Sequence, residues 1–322
     1  MSSNSTPESA LSREKTGIPV TTKIEWADMT INPVVGCSPC SPGCDNCYAE
    51  RFAARLAKNP KTAKKYSGVV DEKGKWTGVI DFDVSCLVKL PRKPKRIFVG
   101  SMCDLFHDSV MDNHLEQIMG HLGLTRDNAH HTFMLLTKRP ERMRDFFTRW
   151  EPYRKVTNVW LGVTVCNQAE ADAKIPVLLQ TPAAVRFVSI EPMLGPVNLR
   201  GKLCHWTCHG GSGSWFSPVP GKVHHRLLYW VICGGETGPG ARPMHPDWVR
   251  GLRDQCQGAR VPFFFKSWGE WAPNCLCGAK RPHPIIQRPT PGHVGCMFKC
   301  GKRRAGRLLD GVEHNEFPEV TV

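Results

Sequence analysis

Four cysteines lie within eleven positions near the front of the chain, at Cys37, Cys40, Cys44 and Cys47. Prolines and glycines lie between and beside them, so we expect a turning loop here rather than a helix or a strand. Such a loop can direct several thiolates at one point, and clustered thiolates bind zinc or an iron–sulfur cluster. Structural zinc usually takes two Cys-x2-Cys pairs far apart, whereas three close cysteines suit a [4Fe–4S] cluster with one iron open to a small molecule.

Two cysteine triads are compatible with such a cluster. Cys40, Cys44 and Cys47 have the spacing Cys-x3-Cys-x2-Cys, and replacing Cys40 by Cys37 gives Cys-x6-Cys-x2-Cys. Both triads share Cys44 and Cys47. The spacing alone therefore leaves open whether Cys37 or Cys40 is the third ligand.

The elements that must position this loop show a regular alternation. Short apolar segments such as 96–100, 132–136 and 185–190 are separated by amphipathic segments such as 140–150. Short strands that are apolar throughout are typical of a parallel sheet buried on both faces. With a strand before Cys37, six or seven βα units result. We predict an α/β fold, a partial or distorted (β/α)6–7 TIM-like barrel with cysteine-rich insertions.

Polar residues follow the predicted strands. Because ligands of parallel α/β folds bind beyond the carboxyl ends of the strands, these residues are site candidates. Asp104, Lys138, Glu191 and Glu236 are the candidates for catalysis, and His107 is a further candidate for proton transfer or for positioning the substrate. The other strand-end candidates are Ser101, Thr137, Arg139, Thr164, Ser189, Gly234, Gly235 and Lys266.

Composition limits the class of protein. The chain has 322 residues, a formal net charge of +14 and 41% hydrophobic residues, as expected for a basic globular protein. No apolar run is long enough to cross a bilayer, and the first twenty residues do not form a signal peptide. We therefore expect a cytoplasmic protein without membrane contact, in which fifteen cysteines are ligands or thiols rather than disulfides. The positive charge favours a nucleic-acid partner.

The loop resembles the radical S-adenosylmethionine (SAM) superfamily through Cys40-x3-Cys44-x2-Cys47. The wider pattern from Asn32 to Glu50 is more similar to a phage-associated three-cysteine family of radical-SAM-like proteins with no settled reaction, whose cysteines match Cys37, Cys44 and Cys47. Further similar segments lie within 23–271 and 301–318.

The resemblance implies a [4Fe–4S] enzyme that cleaves SAM to a 5′-deoxyadenosyl radical and modifies a nucleotide or nucleic acid, with a peptide or small metabolite as open alternatives. An electron donor such as flavodoxin or ferredoxin would reduce the cluster. Glu236 is expected to contact the methionine ammonium or the ribose hydroxyls, unless Gly234–Glu236 is only a tight turn. The expected cofactor-binding set is Ser101, Lys138, Thr164, Ser189, Glu191, Gly234, Gly235 and Glu236.

Two other functions fit the same residues. A zinc-stabilised nucleic-acid-binding protein without catalysis would hold tetrahedral zinc at Cys37–Cys47 and be colourless. An Fe–S redox or sensor protein would be brown and would not bind SAM.

The predicted domain organisation has four parts. A disordered tail covers residues 1–22, and the barrel covers 23–271 with a Cys/His insertion at 201–226. A cysteine-rich segment, 272–301, and a C-terminal tail, 302–322, follow. The insertion contains a second potential metal site made of Cys204, His205, Cys208 and His209.

The cysteine-rich segment generates a prediction about zinc. It has many Pro and Gly residues and little apolar core, so a cross-link must order it, and zinc on Cys275, Cys277, Cys296 and Cys300 would do so. Cys296→Ser should release about one zinc per chain and make the segment sensitive to protease. Metal analysis should meanwhile find unchanged iron, whereas unchanged zinc would contradict the site.

Overall fold

The structure, a computed structural model, describes residues 20–87, 90–152, 156–208, 211–212, 222–273 and 297–319. The strands are β1 (Val20–Thr21), β2 (Met29–Ile31), β3 (Val34–Val35), β4 (Asp81–Phe82), β5 (Arg96–Val99), β6 (Thr132–Thr137), β7 (Val159–Val165), β8 (Val185–Ile190), β9 (Cys204–Cys208), β10 (Gly211–Ser212), β11 (Lys222–Arg226), β12 (Trp230–Gly234), β13 (Phe263–Ser267), β14 (Trp271–Pro273) and β15 (Met297–Lys299). The helices are α1 (Tyr48–Ala57), α2 (Ala63–Tyr66), α3 (Asp112–Met119), α4 (Pro140–Arg149), α5 (Gln168–Gln180), α6 (Pro246–Gly258) and α7 (Lys302–Ala305).

The main sheet confirms the predicted fold class. Its strand order is β1-β2-β5-β6-β7-β8-β12-β13. β1 is antiparallel to β2, and the seven strands from β2 to β13 run parallel to their neighbours. This sheet curls into a half-barrel with helices between successive strands, a partial (β/α) barrel.

The apolar strands are buried on both faces because alternate residues enter two different cores. In β8, Val185 and Phe187 join the cluster inside the half-barrel, whereas Val188 and Ile190 pack towards the helices. The inner cluster is mostly aromatic and includes Trp26, Phe98, Trp160, Phe187, Trp230 and Phe264. These rings fill the interior below the carboxyl ends of the strands.

Smaller elements surround the half-barrel. β3 pairs with β4, β9 pairs with β10 and β11, and β14 pairs with β15, all antiparallel. The backbone N–H of Phe265 donates to the carbonyl of His314 at 3.0 Å, and the Phe317 ring packs 5.0 Å from that of Trp230. The C-terminal segment thus packs against the last strands as far as its described residues reach.

Parts of the predicted domain organisation lie outside the described residues. Of the expected N-terminal tail, residues 1–19 are not described, and Val20–Thr21 form β1. Of the cysteine-rich segment, 274–296 are not described, so Cys275, Cys277 and Cys296 fall outside. Among the described residues, no helix is long and apolar enough to cross a lipid bilayer.

The packing of the inner cluster depends on a glycine in β7. Gly162 is the register partner of Phe187, and a Cβ on Gly162 would lie 2.5 Å from the Phe187 ring. We expect Gly162→Ala to reduce the free energy of unfolding by about 3 kcal/mol, because a close-packed core tolerates extra volume poorly.

Denaturant titration followed by tryptophan fluorescence measures this change. The matched control is Gly251→Ala in α6, where a Cβ would meet no atom within 4 Å. Alanine is the better helix former, so the control should raise the stability by about 0.5–1 kcal/mol. Equal stability of the two variants would contradict the packing described here.

Candidate functional site

A cavity of about 160 Å³ opens at the carboxyl ends of the parallel strands, where ligands bind in such folds. Its floor is apolar and contains Ile24, Trp26, Phe98 and Leu136. The polar and sulfur-bearing residues that line it include Cys37, Cys40, Cys44, Cys47, Ser101, Asp104, Thr137, Lys138, Arg139, Thr164, Ser189, Glu191, Gly235, Glu236 and Lys266. Almost the whole set of residues singled out from the sequence therefore meets around one space.

Two candidates lie outside the lining of this cavity. Gly234 ends β12, its carbonyl accepts a hydrogen bond from the N–H of Met193 at 3.0 Å, and a Cβ there would approach the Glu191 carboxyl. His107 is buried behind the cysteine loop.

Local backbone features explain how the cysteine loop turns. Gly36 has φ +100°, and a Cβ there would lie 2.2 Å from the carbonyl oxygen of Val79, so only glycine fits. The Ser41 hydroxyl accepts a hydrogen bond from the N–H of Gly43 at 3.1 Å and caps a short 3-10 turn, Pro42–Cys44. Cys47 then immediately precedes α1. The four cysteines are consequently presented on successive turns beside the cavity.

The thiols of the loop differ in acidity. A hydrogen bond from the Cys40 thiol lowers the pKa of Cys44 to about 5 and raises that of Cys40, whereas burial raises the pKa of Cys37 to about 11. The side chains of Cys40 and Cys44 are therefore close enough to share a hydrogen bond. Among the described residues, no three Cys, His, Asp or Glu side chains form a group that could hold a single metal ion.

Thiolates gathered on one loop are donors for zinc or for an iron–sulfur cluster. The described residues give no support for zinc at this loop.

The Asp104 carboxylate lines the cavity, but it is fully hydrogen-bonded to residues that follow β5 and β6. One carboxylate oxygen accepts from the Thr137 hydroxyl at 2.6 Å and the Phe106 N–H at 3.0 Å. The other accepts from the Lys138 N–H at 2.9 Å and the Arg139 guanidinium at 3.2 Å. Each carboxylate oxygen of Asp104 thus accepts two hydrogen bonds from the protein.

Arg139, which binds Asp104, and His107 both form hydrogen bonds with Ser38 of the cysteine loop. The Arg139 guanidinium donates to the carbonyl and hydroxyl of Ser38 at 3.1 and 3.0 Å. His107 accepts the N–H of Ser109 on Nδ1, so Nε2 holds the proton of the neutral ring and donates to the Ser38 hydroxyl at 2.7 Å. Burial lowers the pKa of His107, which keeps the ring neutral. The ring therefore holds the Ser38 hydroxyl in place.

Glu236 forms a second support on the other side of the loop. Its carboxylate accepts from the Arg242 guanidinium at 2.6 and 2.9 Å and from Asn46 at 3.0 Å. Arg242 also donates to Asp45 at 2.9 Å and to the carbonyl of Pro42 at 2.8 Å. Burial opposes ionisation of Glu236, but the hydrogen bonds from Arg242 and Asn46 outweigh it and lower the pKa.

The glycines that follow Glu236 pack against the cysteine loop and α1. The Arg51 guanidinium donates to the carbonyls of Thr237 and Pro239, and Asn46 donates to that of Gly240 at 2.9 Å. Gly238 has φ +88°, and a Cβ there would lie 2.4 Å from Arg51. This stretch therefore serves as a close-fitting turn around the loop.

Other strand-end groups line the cavity. Thr164 and Ser189 are register partners on β7 and β8, and their hydroxyls have no hydrogen bond within the described chain. The Lys138 ammonium likewise has no ion-pair partner there. Burial opposes its charge, but the electrostatic attraction of neighbouring acidic groups, Cys44 first among them, outweighs burial and raises the pKa of Lys138. Lys266 is paired with Glu191 at 2.6 Å. These groups can bind polar atoms of a ligand.

Several site residues were missed by the sequence analysis. Trp26 and Phe98 form the floor, their rings 4.8 Å apart, and Cys103, Asn46 and Trp76 line the walls. Asn46 lies inside the cysteine loop, so its position alone was a usable signal. The aromatic residues resemble ordinary core residues in sequence, and only the curl of the sheet brings them below the cavity.

The remaining predicted metal sites are tested only in part. Cys204 is buried in the hydrophobic core, where burial raises its pKa. The side chains of His205, Cys208 and His209 are not described, so that site stays a prediction. Cys300 is half-buried against the core, and its three proposed partners lie outside the described residues.

Comparison with known families identifies one match. The model of the family described as "Protein of unknown function (DUF5131)" matches residues 21–318, so the chain belongs to that family. No curated protein matches the chain in sequence.

Solved structures of spore photoproduct lyase show a distant likeness. A double mutant with bound AdoMet and dinucleoside spore photoproduct matches with TM-score 0.35 and 11% identity, over 56% of this chain and 49% of the lyase. A single mutant matches with TM-score 0.36 and 12% identity over the same shares. The match thus spans about half of the lyase, and likeness at this level supports no functional argument.

The Glu236 support generates a prediction about pH. Because the folded-state pKa of Glu236 is lowered, its stabilising contribution is present above the unfolded value of about 4.3 and is lost as the pH falls through the folded value. Glu236→Gln should reduce the free energy of unfolding by about 1–2 kcal/mol at pH 7, a modest effect because Arg242 is one-third exposed.

Thermal or urea unfolding from pH 7 to pH 3 measures this difference. It should shrink towards zero as wild-type Glu236 becomes protonated. Glu72→Gln is the control, because Glu72 is exposed and has no ion pair within the described chain. A difference between wild type and Glu236→Gln that stays constant down to pH 3 would argue against the ionic contact.

Proposed function

We propose that this member of the DUF5131 family is a radical-SAM-type enzyme with its active site at the mouth of the half-barrel. One observation supports this proposal above others: four cysteines of one loop and polar side chains from successive strand ends line the same cavity. A structural metal loop has no need of such a cavity. An enzyme needs both the metal donors and a space for the reacting molecules.

The donors suit a [4Fe–4S] cluster on Cys44, Cys47 and either Cys37 or Cys40, with SAM beside it. When bound, the cluster supplies one electron to cleave SAM and start radical chemistry on a C–H bond of the substrate. The loop cysteines would hold the cluster. The hydroxyls of Thr164 and Ser189, which line the cavity, the Lys138 ammonium and the Glu191–Lys266 pair would contact polar atoms of SAM or the substrate.

The residues around the loop would preorganise the site. Arg139 and Asp104 hold Ser38 from one side, and Arg242 and Glu236 hold Pro42 from the other. Side chains fixed by several hydrogen bonds keep reactants close and aligned without reorganisation during the reaction. We accordingly assign Asp104 and Glu236 to positioning and leave Lys138 and Glu191 as the groups able to meet the reactants.

The apolar floor would serve a different purpose. Trp26 and Phe98 close the cavity against the barrel interior, and both are buried. Excluding water from this side strengthens electrostatic contacts and protects reactive species from side reactions.

A nucleotide or nucleic acid is the substrate class that the charge favours. The net charge of +14 attracts polyanions, and the cavity adds Lys138 and the partly compensated Lys266. We propose an external donor such as flavodoxin or ferredoxin for the electron. A colourless, zinc-containing protein or a brown protein that ignores SAM would point to the two alternative functions.

Substitutions in the loop test the proposed cluster. Cys44→Ala and Cys47→Ala should each reduce the iron content of anaerobically reconstituted protein to a small fraction of wild type, because both triads contain these two residues. Iron and sulfide analysis, with electron paramagnetic resonance of the reduced cluster before and after SAM addition, measures the result. Wild-type protein should show a SAM-dependent change of the signal.

Substitution of the other two loop cysteines, Cys37 and Cys40, identifies the third ligand of the proposed cluster. We expect Cys37→Ala to lose more iron than Cys40→Ala, and the reverse order would favour the Cys-x3-Cys-x2-Cys triad. Cys86→Ala is the control, since it removes a half-buried thiol outside the loop and should retain iron. Wild-type iron in Cys44→Ala or in Cys47→Ala would refute the assignment.

A further inference from the structure

An aromatic and basic surface extends away from the cavity along α1 and α2. We call it the α1–α2 surface, formed by Tyr48, Phe52, Arg55, Lys58, Lys61 and Lys64. All six side chains are exposed. None of them belongs to the supports of the cysteine loop, so the proposed chemistry leaves this surface unexplained.

The two aromatic residues lie on one face of α1. Tyr48 and Phe52 are 49% and 42% exposed, and their spacing of four residues puts them one above the other on the helix. The Tyr48 hydroxyl donates to the carbonyl of Ser101 at 2.9 Å, which fixes the ring at the edge of the cavity that it lines. The Arg55 guanidinium lies 5.0 Å from the centre of the Phe52 ring. This row leads outward from the cavity.

The charge around this row is strongly positive. Residues 48–66 contain six Lys and Arg side chains and one acid, Glu50. Glu50 is 5% exposed and accepts from Lys75 at 2.9 Å, so it offsets little of the surface charge. Within the described chain, Arg55, Lys58, Lys61 and Lys64 have no ion-pair partner.

We infer that the α1–α2 surface binds single-stranded nucleic acid and directs one nucleotide into the cavity. Unpaired bases can stack on exposed aromatic rings, whereas the bases of a duplex are already stacked on each other. The cations would contact the phosphates, as in other single-strand sites that combine aromatic rings with a basic track. The inference rests on the proposed function and makes its substrate class specific.

Binding of labelled oligonucleotides to the full chain, followed by fluorescence anisotropy, tests the stacking. We would use a 20-nucleotide single-stranded DNA, the matching RNA and the corresponding DNA duplex. Phe52→Ala should weaken single-strand binding about 10-fold, because one stacking partner is lost. Phe52→Trp should retain the affinity, and the stronger of the DNA and RNA complexes identifies the strand type.

Charge substitutions test the basic track. The triple variant Lys58→Gln, Lys61→Gln, Lys64→Gln should reduce the slope of log affinity against log salt by about 2, because three phosphate contacts are lost. The matched control replaces exposed Lys93, Arg303 and Arg304 by Gln and removes the same charge elsewhere. The control should leave the slope close to wild type.

The outcomes separate this inference from the proposed function. Cys44→Ala should lose iron and still bind the oligonucleotide, and Phe52→Ala should bind less and keep its iron. Wild-type binding by Phe52→Ala, equal losses in the two triple variants, or equal affinity for duplex would overturn the inference even if the cluster is found. If Phe52→Ala loses oligonucleotide binding but the wild-type protein takes up no iron, the proposed function is refuted and the binding surface stands.

Discussion

The buried contact between Asp104 and Arg139 joins the cysteine loop to the barrel. Asp104 follows β5 and Arg139 follows β6. The Arg139 guanidinium donates hydrogen bonds both to Asp104 and to Ser38 of the loop. Both side chains are largely excluded from solvent, so the charges are paired in a medium where an unpaired charge is costly. The loop cannot move away from the strand ends without breaking the hydrogen bonds that Arg139 donates to Ser38, and the geometry of the cavity depends on that constraint.

A second set of hydrogen bonds holds the cysteine loop on the opposite side. Arg242 binds Glu236 and the carbonyl of Pro42, and Asn46 binds the same carboxylate. The cysteine loop is thus held between a contact from the early strands and one from the late strands. A loop rich in proline and glycine has little apolar surface to bury, so directed hydrogen bonds replace hydrophobic packing as the source of order.

The supports divide the polar residues of the site into two groups. The carboxylates of Asp104 and Glu236 accept hydrogen bonds from other protein groups. The hydroxyls of Thr164 and Ser189 and the Lys138 ammonium can instead bind a ligand. The aromatic layer formed by Trp26 and its neighbours blocks the barrel below them. Among the described residues, the barrel side of the cavity is closed, and the exposed ring of Tyr48 lies at the mouth. The proposed chemistry and the α1–α2 surface meet at that edge.

The sequence by itself determined the elements and the meeting point of the site. Apolar strands buried on both faces, exemplified by β8, show their character in every residue, and parallel strands necessarily bring Thr164 and Ser189 to one edge. The tertiary structure decided which of the candidate side chains bind other protein groups. Arg139 is 35 residues from Asp104, and Arg242 is 200 residues from Pro42, so no local pattern could show that two of the candidate acids are already bound. Whether a carboxylate faces a ligand or a guanidinium depends on long-range contacts that only the folded chain creates.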